Sequence, residues 1–337
     1  MNLTGVHQGE SCVHSLNSSC LSEPSTQTDV LVYVSVIAAI FLAVCGNLLV
    51  IISICHFKQL HTPTNFLILS LAVADCLVGL IILPFEFNIF FLHRCFGAMY
   101  CNIGYIASFH LTCVSIYNVA FIAMDRYFAI SNPFLYCTKM NVNITLKTMS
   151  TLWLCSFIYN VLLLHFSEGL TDLKENITCM NCFVSVNSIW TIVDFAVVFF
   201  LPCMTIVILY IKIFNVAKKH TNKIRCVRKH YSNRTKNNDL SAASERKAGR
   251  TVGILVSVFL LCVVPYYTCA FLDEYMRTPS AYTALLCMSI LLYVNSSLNP
   301  IIYALFYPWF QKSIKIIVTL RICHSESSLM NVLARET

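Results

Sequence analysis

The stretch VLVYVSVIAAIFLAVCGNLLVIISIC at residues 30–55 decides the fold, because no charged residue interrupts it. A helix needs about 20 apolar residues to cross a hydrocarbon core roughly 30 Å thick. Six further, largely apolar runs follow, at 64–90, 99–130, 148–166, 187–214, 250–272 and 281–306. Only 12% of the 337 residues are charged, against about 25% in soluble domains. The sequence therefore predicts an all-α membrane protein, a seven-transmembrane helix bundle.

The distribution of basic residues orients this bundle. Only three of the 23 Lys and Arg residues, namely Arg94, Lys174 and Arg277, fall on the side that holds the amino terminus. Basic loops are retained in the cytoplasm, so the amino terminus is predicted to be extracellular.

Three regions follow from these spans. We predict an extracellular segment at 1–29, the membrane domain at 30–306, and a short amphipathic helix eight with a cytoplasmic tail at 307–337. The first segment lacks Lys and Arg, so it does not resemble a cleavable signal peptide. The net charge of +7 is concentrated in a loop at 215–249, where topology and anionic lipid account for it without nucleic acid.

Cysteines and glycosylation signals can be sorted by this topology. Six cysteines lie at outer positions where disulfides form: Cys12, Cys20, Cys95, Cys101, Cys179 and Cys182. Six cysteines allow many pairings, so the residues alone leave the connectivity open. The sequons on the outer side, at Asn2, Asn17 and Asn176, are predicted glycosylation sites.

Asp75 lies in the middle of the second span, where an ionisable side chain is costly and marks a functional candidate. Polar residues at matching depths in other spans can surround it: Asn47, Ser115, Asn295, Ser296 and Asn299. Several oxygens around one carboxylate suit a small hard cation. We therefore predict an allosteric sodium ion, and no other cofactor, at Asp75, Ser115, Asn295 and Asn299. A hydrated polar network that only packs the helices is the alternative.

Two further acids lie in or beside the spans. Asp125 and Arg126 follow Cys101 by enough helix, at about 1.5 Å per residue, to lie at the opposite, cytoplasmic rim. Asp194 lies about 12 Å of helix before Pro202 on the outer side, a depth suited to a ligand cavity.

Six features in order and spacing resemble rhodopsin-like G-protein-coupled receptors: GNLLV at 46–50, LAVAD at 71–75, DRY at 125–127, Trp153, Pro202 and NPIIY at 299–303. The resemblance implies that Arg126, beside Tyr127, binds the G protein and that Asp125 and Glu245 restrain it at rest. It also implies that Tyr210 and Tyr303 swing inward in the active form. A charge pair that opens on activation is a bistable element.

Helix seven carries a narrower resemblance. NSSLNPIIYALFYPWFQK at 295–312 is similar to the fingerprint of trace amine-associated receptors, a mainly olfactory group that detects volatile amines. Membership implies a plasma-membrane receptor that acts through a stimulatory or olfactory-type G protein, raises cyclic AMP, and meets arrestin and receptor kinases. It also implies two disulfides, Cys101 with Cys182, and Cys179 with Cys12 or Cys20.

The predicted ligand-binding residues depart from the usual pattern of that family. Ser108 occupies the helix-three position where most such receptors carry the aspartate that pairs with the ligand ammonium. Asp194 resembles the helix-five acid that replaces it in a group of fish trace amine-associated receptors. The predicted ligand-binding residues are Asp194, Ser108, Thr112, Thr191, Tyr266, Tyr267, Tyr293 and Glu86. The tyrosines offer cation–π faces to an ammonium, and Glu86 offers a second anionic subsite.

Other interpretations stay open at this point. Asp194 can be protonated, or bonded to Thr191, and serve packing alone, which would leave a receptor for a neutral or peptide ligand. A transporter or channel is disfavoured because the spans show no repeated halves. An enzyme is disfavoured because no nucleophile, base and orienting group occur in a recognisable local arrangement.

Overall fold

The computed structural model of the chain describes residues 27–90, 98–166, 187–230, 238–276, 278–324 and 327–333. Within these ranges, side chains are not described at 27–29, 32, 90, 98, 217, 219–230, 238–252, 273–276, 279–283 and 286. The described part contains seven helices long and apolar enough to cross a membrane. The prediction of an all-α, seven-transmembrane bundle is confirmed.

Three of the membrane helices contain a π turn: α1 (Gln27–Phe41, π turn Leu42–Gly46, Asn47–His56), α2 (Pro63–Leu77, π turn Val78–Ile82, Leu83–Phe90) and α5 (Ser188–Asp194, π turn Phe195–Phe200, Leu201–His230). The other four are α3 (Ala98–Ser131), α4 (Val142–Phe166), α6 (Asn238–Met276) and α7 (Pro279–Phe306). A short helix α8 follows at Pro308–Val318, and a loop helix at Pro133–Lys139 lies between α3 and α4.

Ordinary capping residues start three of these helices, including α4, where Asn141 Oδ1 accepts from the backbone N–H of Ile144 at 2.9 Å. The Thr62 hydroxyl accepts a hydrogen bond from the backbone N–H of Asn65 at 3.3 Å, and Pro63 occupies the first turn of α2. Asn187 caps α5 in the same way, by accepting from the N–H of Ile189 at 3.1 Å. Both residue types are favoured at helix starts because they pair backbone N–H groups that the helix itself leaves unpaired.

The cytoplasmic ends of α5 and α6 are longer than predicted. The loop prediction at 215–249 is wrong for most of that segment, because α5 continues to His230 and α6 begins at Asn238. Neither Gly nor Pro interrupts 215–230, and basic residues are good helix formers in water. The apolar runs in the sequence indicate which part of each helix lies in the membrane. They do not indicate how far a helix continues beyond the membrane.

Glycines allow close contacts between the helices. A Cβ on Gly46 of α1 would lie 2.7 Å from the Cβ of Pro300 in α7, and one on Gly79 of α2 would lie 2.8 Å from the Cβ of Ala43. Small residues let membrane helices approach closely where lipid provides no hydrophobic force between them. Helix α3 packs against α2, α4 and α5 and is therefore central to the bundle.

Candidate functional site

Asp194 is the last residue before the π turn of α5. Its Oδ1 accepts a hydrogen bond from Tyr159 Oη of α4 at 3.4 Å, which is long for an O–H donor. Among the side chains that the structure describes, no Lys, Arg or His forms a salt bridge with Asp194. Among the described residues, this half-buried carboxylate therefore has one weak hydrogen-bond partner and retains the capacity to accept from a cation.

Two tyrosines of α6 lie near the Asp194 carboxylate. Tyr267 of α6 is buried and stacks on Phe199 of α5 with ring centroids 4.6 Å apart, and Tyr266 meets Tyr267 edge-on at 5.3 Å. Both tyrosines lie within electrostatic reach of the Asp194 charge. Ring faces near a carboxylate are suited to an organic ammonium, which can contact both.

A second acid, Glu86 of α2, belongs to the same group of side chains. Tyr266 lies within electrostatic reach of Glu86 as well as of Asp194. Tyr293 of α7 lies beside Glu86 and near the hydroxyls of Ser108 and Thr112 of α3. Ser108 is only 3% exposed, and its Oγ has no hydrogen-bond partner in the described structure. The structure thus brings most of the predicted ligand-binding residues together around the tyrosines.

Helix packing determines where Glu86 points. The preceding residue, Phe85, fills the space beside Gly104 of α3 so completely that a Cβ there would overlap its ring. Phe85 also meets Tyr105 edge-on at 5.5 Å. Because successive helical residues point about 100° apart, Glu86 is turned away from this contact with α3. The π turn Val78–Ile82 precedes it and shifts the register of the outer part of α2.

One partner of Asp194 was not predicted from the sequence. Tyr159 lies in the apolar run LCSFIYNVLLL at 154–164, where a hydroxyl signals some polar contact but does not identify it. The sequence had suggested a different partner for Asp194, Thr191, which lies in the same helix. The Thr191 hydroxyl donates to the Asn187 carbonyl at 3.3 Å, within its own helix.

Asp75 is fully buried and accepts hydrogen bonds on both carboxylate oxygens. Ser296 Oγ donates to Oδ1 at 2.8 Å, and Asn299 Nδ2 donates to Oδ2 at 2.7 Å. Three buried oxygens of the predicted sodium site have no hydrogen-bond partner in the described structure, namely Ser115 Oγ, Asn295 Oδ1 and Asn299 Oδ1. A buried carboxylate with unpaired oxygens on α3 and α7 fits the ligand preference of a small hard cation.

The carboxylate of Asp125 is the centre of a hydrogen-bond cluster at the cytoplasmic end of α3. Arg126 donates to its Oδ2 from Nη2 at 2.7 Å and from Nε at 3.2 Å. Thr64 Oγ1 of α2 also donates to Oδ2, at 2.7 Å, and contacts Arg126 Nη2. Tyr136 Oη of the loop helix donates to Oδ1 at 2.6 Å. The cluster therefore ties α3 to α2 and to the loop helix.

Tyr136 keeps its proton in this cluster. Burial, together with the hydrogen bond to Asp125, raises the pKa of Tyr136 to about 12. The hydroxyl is therefore a donor at neutral pH, as the contact with Asp125 requires. Asp125 and Arg126 are predictable from the sequence, whereas Tyr136 and Thr64 are not, because they lie on other elements and carry no local signal.

The remaining predicted switch residues lie on α3, α5, α6 and α7. Lys212 Nζ lies 5.8 Å from the centre of the Tyr127 ring. The hydroxyls of Tyr210 and Tyr303 are buried without hydrogen-bond partners in the described structure. An unpaired buried hydroxyl costs about 1–3 kcal/mol, so a second helix arrangement that pairs these groups would gain stability. Glu245 lies on α6, at a position where side chains are not described.

Cys101, near the outer end of α3, is buried and disulfide-bonded. The other cysteines of the predicted pairs, Cys12, Cys20, Cys179 and Cys182, lie outside the described residues, so the pairing stays a prediction. The predicted glycosylation sites Asn2, Asn17 and Asn176 also lie outside them, so they stay predictions.

Seven membrane helices with an acidic, tyrosine-lined site toward the outside and a charge-paired arginine at the cytoplasmic rim define a transmembrane receptor. Comparison with known proteins gives the same class, since residues 46–303 match the family described as 7 transmembrane receptor (rhodopsin family).

Individual relatives narrow the family. Trace amine-associated receptor 13c of Danio rerio is 39% identical over 330 residues, which cover 95% of each chain. Trace amine-associated receptor 7c of Rattus norvegicus is 39% identical over 331 residues, 95% of this chain and 91% of the relative. Trace amine-associated receptor 7f of Mus musculus is 37% identical over 341 residues, 98% of this chain and 94% of the relative. The chain belongs to the trace amine-associated receptors, and it is a multi-pass plasma-membrane receptor and not an enzyme.

Proposed function

We propose that this receptor binds amines, that the ligand ammonium pairs with Asp194, and that binding activates a stimulatory or olfactory-type G protein and raises cyclic AMP in an olfactory cell. One observation carries the proposal. Asp194 has no paired cation among the described side chains and accepts only a 3.4 Å hydrogen bond from Tyr159. Burying a carboxylate without a charge partner is unfavourable, and a ligand ammonium offsets that cost. The names of its relatives refer to trace amines, which supports the same ligand class.

The ligand would act by joining helices. An ammonium held between Asp194 of α5 and the Tyr266 and Tyr267 rings of α6 bridges two helices that both extend into the cytoplasm. A ligand shifts a conformational equilibrium only by its differential affinity for the two states. We propose that the amine binds more tightly when α5 and α6 close around it, and that this movement releases Arg126 from Asp125.

A cyclic AMP reporter assay tests the ligand class. Each active amine is compared with its uncharged isostere, an alcohol or hydrocarbon of the same shape. We expect the isostere to be at least about 100-fold weaker, because a buried charge contact is lost and 1.4 kcal/mol corresponds to tenfold in affinity. Isosteres as potent as the amines would show a receptor for neutral ligands, with Asp194 structural.

Glu86→Gln is expected to change the selectivity of the receptor between diamines and monoamines more than its affinity for monoamines. We propose that Glu86 contacts a second cationic group in longer ligands, since Tyr266 is in reach of both acids. The neutral amide should weaken an α,ω-diamine about tenfold, from the loss of one charge-assisted contact, and leave a monoamine of equal length unchanged. The measurement is the ratio of half-maximal concentrations for the two ligands. An equal shift for both would contradict this role.

We also propose that Asp75, Ser115, Asn295 and Asn299 hold a sodium ion that favours the resting state. The ion would supply the positive charge that the buried Asp75 carboxylate lacks among its described partners. In the purified receptor, saturating sodium chloride should raise Tm by about 2–4 °C relative to choline chloride, since a ligand at tenfold its Kd contributes about 1.4 kcal/mol. Asp75→Asn should abolish this difference. Potassium chloride controls for ionic strength, and an unchanged sodium effect in the variant would contradict the site.

A further inference from the structure

The chain folds back on itself after α8. Leu320 follows α8 in the left-handed region, with φ 55°, and the helix ends before it. Two short 3₁₀ turns come next, at Arg321–Cys323 and Ser327–Leu329. The second turn contacts the 3₁₀ turn at Lys58–Leu60, which directly follows α1. Residues 327–333, called the latch below, therefore lie against the cytoplasmic end of the first helix.

Ser327 is the polar anchor of the latch. It is 2% exposed, and its Oγ lies 2.6 Å from the carbonyl oxygen of Ile322 and 2.9 Å from His56 Nε2 at the end of α1. A serine hydroxyl has one hydrogen, and the carbonyl can only accept, so Ser327 donates to Ile322. His56 Nε2 must then carry the hydrogen that it donates to Ser327. One hydroxyl thus joins the latch to α1 and to the preceding 3₁₀ turn at Arg321–Cys323.

Val332 is the apolar anchor. It is 1% exposed and belongs to the same buried cluster as Phe57 and Leu60, which are both fully buried at the end of α1. By contrast Leu329, on the same turn as Ser327, is 62% exposed. The latch thus has one face that packs on the bundle and another that faces outward.

We propose that the latch is a docked cytoplasmic element and that phosphorylation of Ser327 releases it. In this step a cytosolic protein kinase transfers the γ-phosphoryl group of ATP to Ser327 Oγ. The P–O bond to ADP breaks, the O–P bond forms and the hydroxyl proton leaves. The product lacks the hydrogen that Ser327 donates to Ile322.

The buried site is incompatible with the phosphoserine product. A phosphate adds three oxygens and about −1.5 to −2 charges, which face the carbonyl oxygen of Ile322 in a site with almost no exposed surface. Short 3₁₀ turns open transiently, which gives a kinase access to the hydroxyl. Release exposes Val332, whose side chain is 1% exposed in the docked latch.

Hydrogen exchange in the full-length receptor in lipid nanodiscs tests the proposal. The backbone N–H groups of Ser327 and Met330 donate to the carbonyls of His324 and Ser327 at 3.0 and 3.1 Å, so they should exchange slowly in the unmodified receptor. Phosphoserine is incorporated genetically at position 327. The matched control is Leu329→phosphoserine, which places the same charge on the outward face of the same turn.

We expect phosphorylation of Ser327 to lower the protection against hydrogen exchange at both amides at least about tenfold. The Leu329 control should retain the protection of the unmodified receptor. Val332→Asp should also lose it, without any phosphate. Exchange in α3 serves as the check that each receptor is folded. Fast exchange at both amides in the unmodified receptor, protection that survives phosphorylation of Ser327, or equal loss in the Leu329 control would each overturn the proposal.

Discussion

Asp194→Asn is expected to raise the half-maximal concentration of every active amine by about 100-fold or more. Asn has nearly the same shape but no charge, so the ligand ammonium loses its counter-ion. Removing one partner of a buried charge pair costs about 3–5 kcal/mol, and 1.4 kcal/mol is tenfold in affinity. The measurement is a cyclic AMP concentration–response curve for cells with equal surface expression of the two receptors.

Tyr159→Phe is the matched control for this substitution. It removes the only described hydrogen-bond donor to Asp194, a contact of 3.4 Å, and leaves the charge in place. We expect a shift of about threefold or less, because a long neutral hydrogen bond contributes little. If Asp194→Asn had no effect on amine potency, or no more effect than Tyr159→Phe, the carboxylate would not be the ammonium partner.

Opposite effects are expected from the two halves of the Arg126–Asp125 pair. Arg126→Ala should abolish G-protein activation at any agonist concentration and leave amine binding intact, because it removes the proposed G-protein contact. Asp125→Asn should raise ligand-independent activation several-fold. It weakens charge-assisted hydrogen bonds from Arg126, each contributing about 1.5–3 kcal/mol to the resting arrangement. Nucleotide exchange on purified G protein measures both.

Lys139 is an exposed basic residue of the loop helix. Lys139→Ala therefore controls for the general loss of cytoplasmic charge, and it should leave both ligand-independent and agonist-stimulated G-protein activation unchanged. Full signalling by Arg126→Ala would show that the G protein does not need this side chain. Unchanged or lower basal activity in Asp125→Asn would show that the ion pair does not restrain the resting state.

The fold could be predicted from the sequence because the membrane strongly constrains the structure of the segments that cross it. Crossing lipid requires long apolar helices, and their number and orientation follow from apolar length and basic loops alone. The membrane does not constrain the chain outside it, so the cytoplasmic extensions of α5 to His230 and of α6 from Asn238 were not predicted.

The composition of the candidate sites was more predictable than their contacts. Asp75 was expected among polar residues, and Ser296 and Asn299 do bond to it. The partners Tyr159 and Tyr136 were missed, because a contact between helices depends on their relative rotation. Rotation is in turn altered by π turns, including the one that begins just after Asp194, and these carry no clear sequence signal.

A thermodynamic cycle on the purified receptor tests most directly whether Asp194 is the counter-ion of the ligand. The cycle measures Kd for one amine and its uncharged isostere, each with the wild-type receptor and with Asp194→Asn. A shared charge pair predicts that either loss alone weakens binding about 100-fold and that the second loss adds little, because the interaction is already gone. Two independent losses that multiply, or no loss from Asp194→Asn, would contradict the pairing.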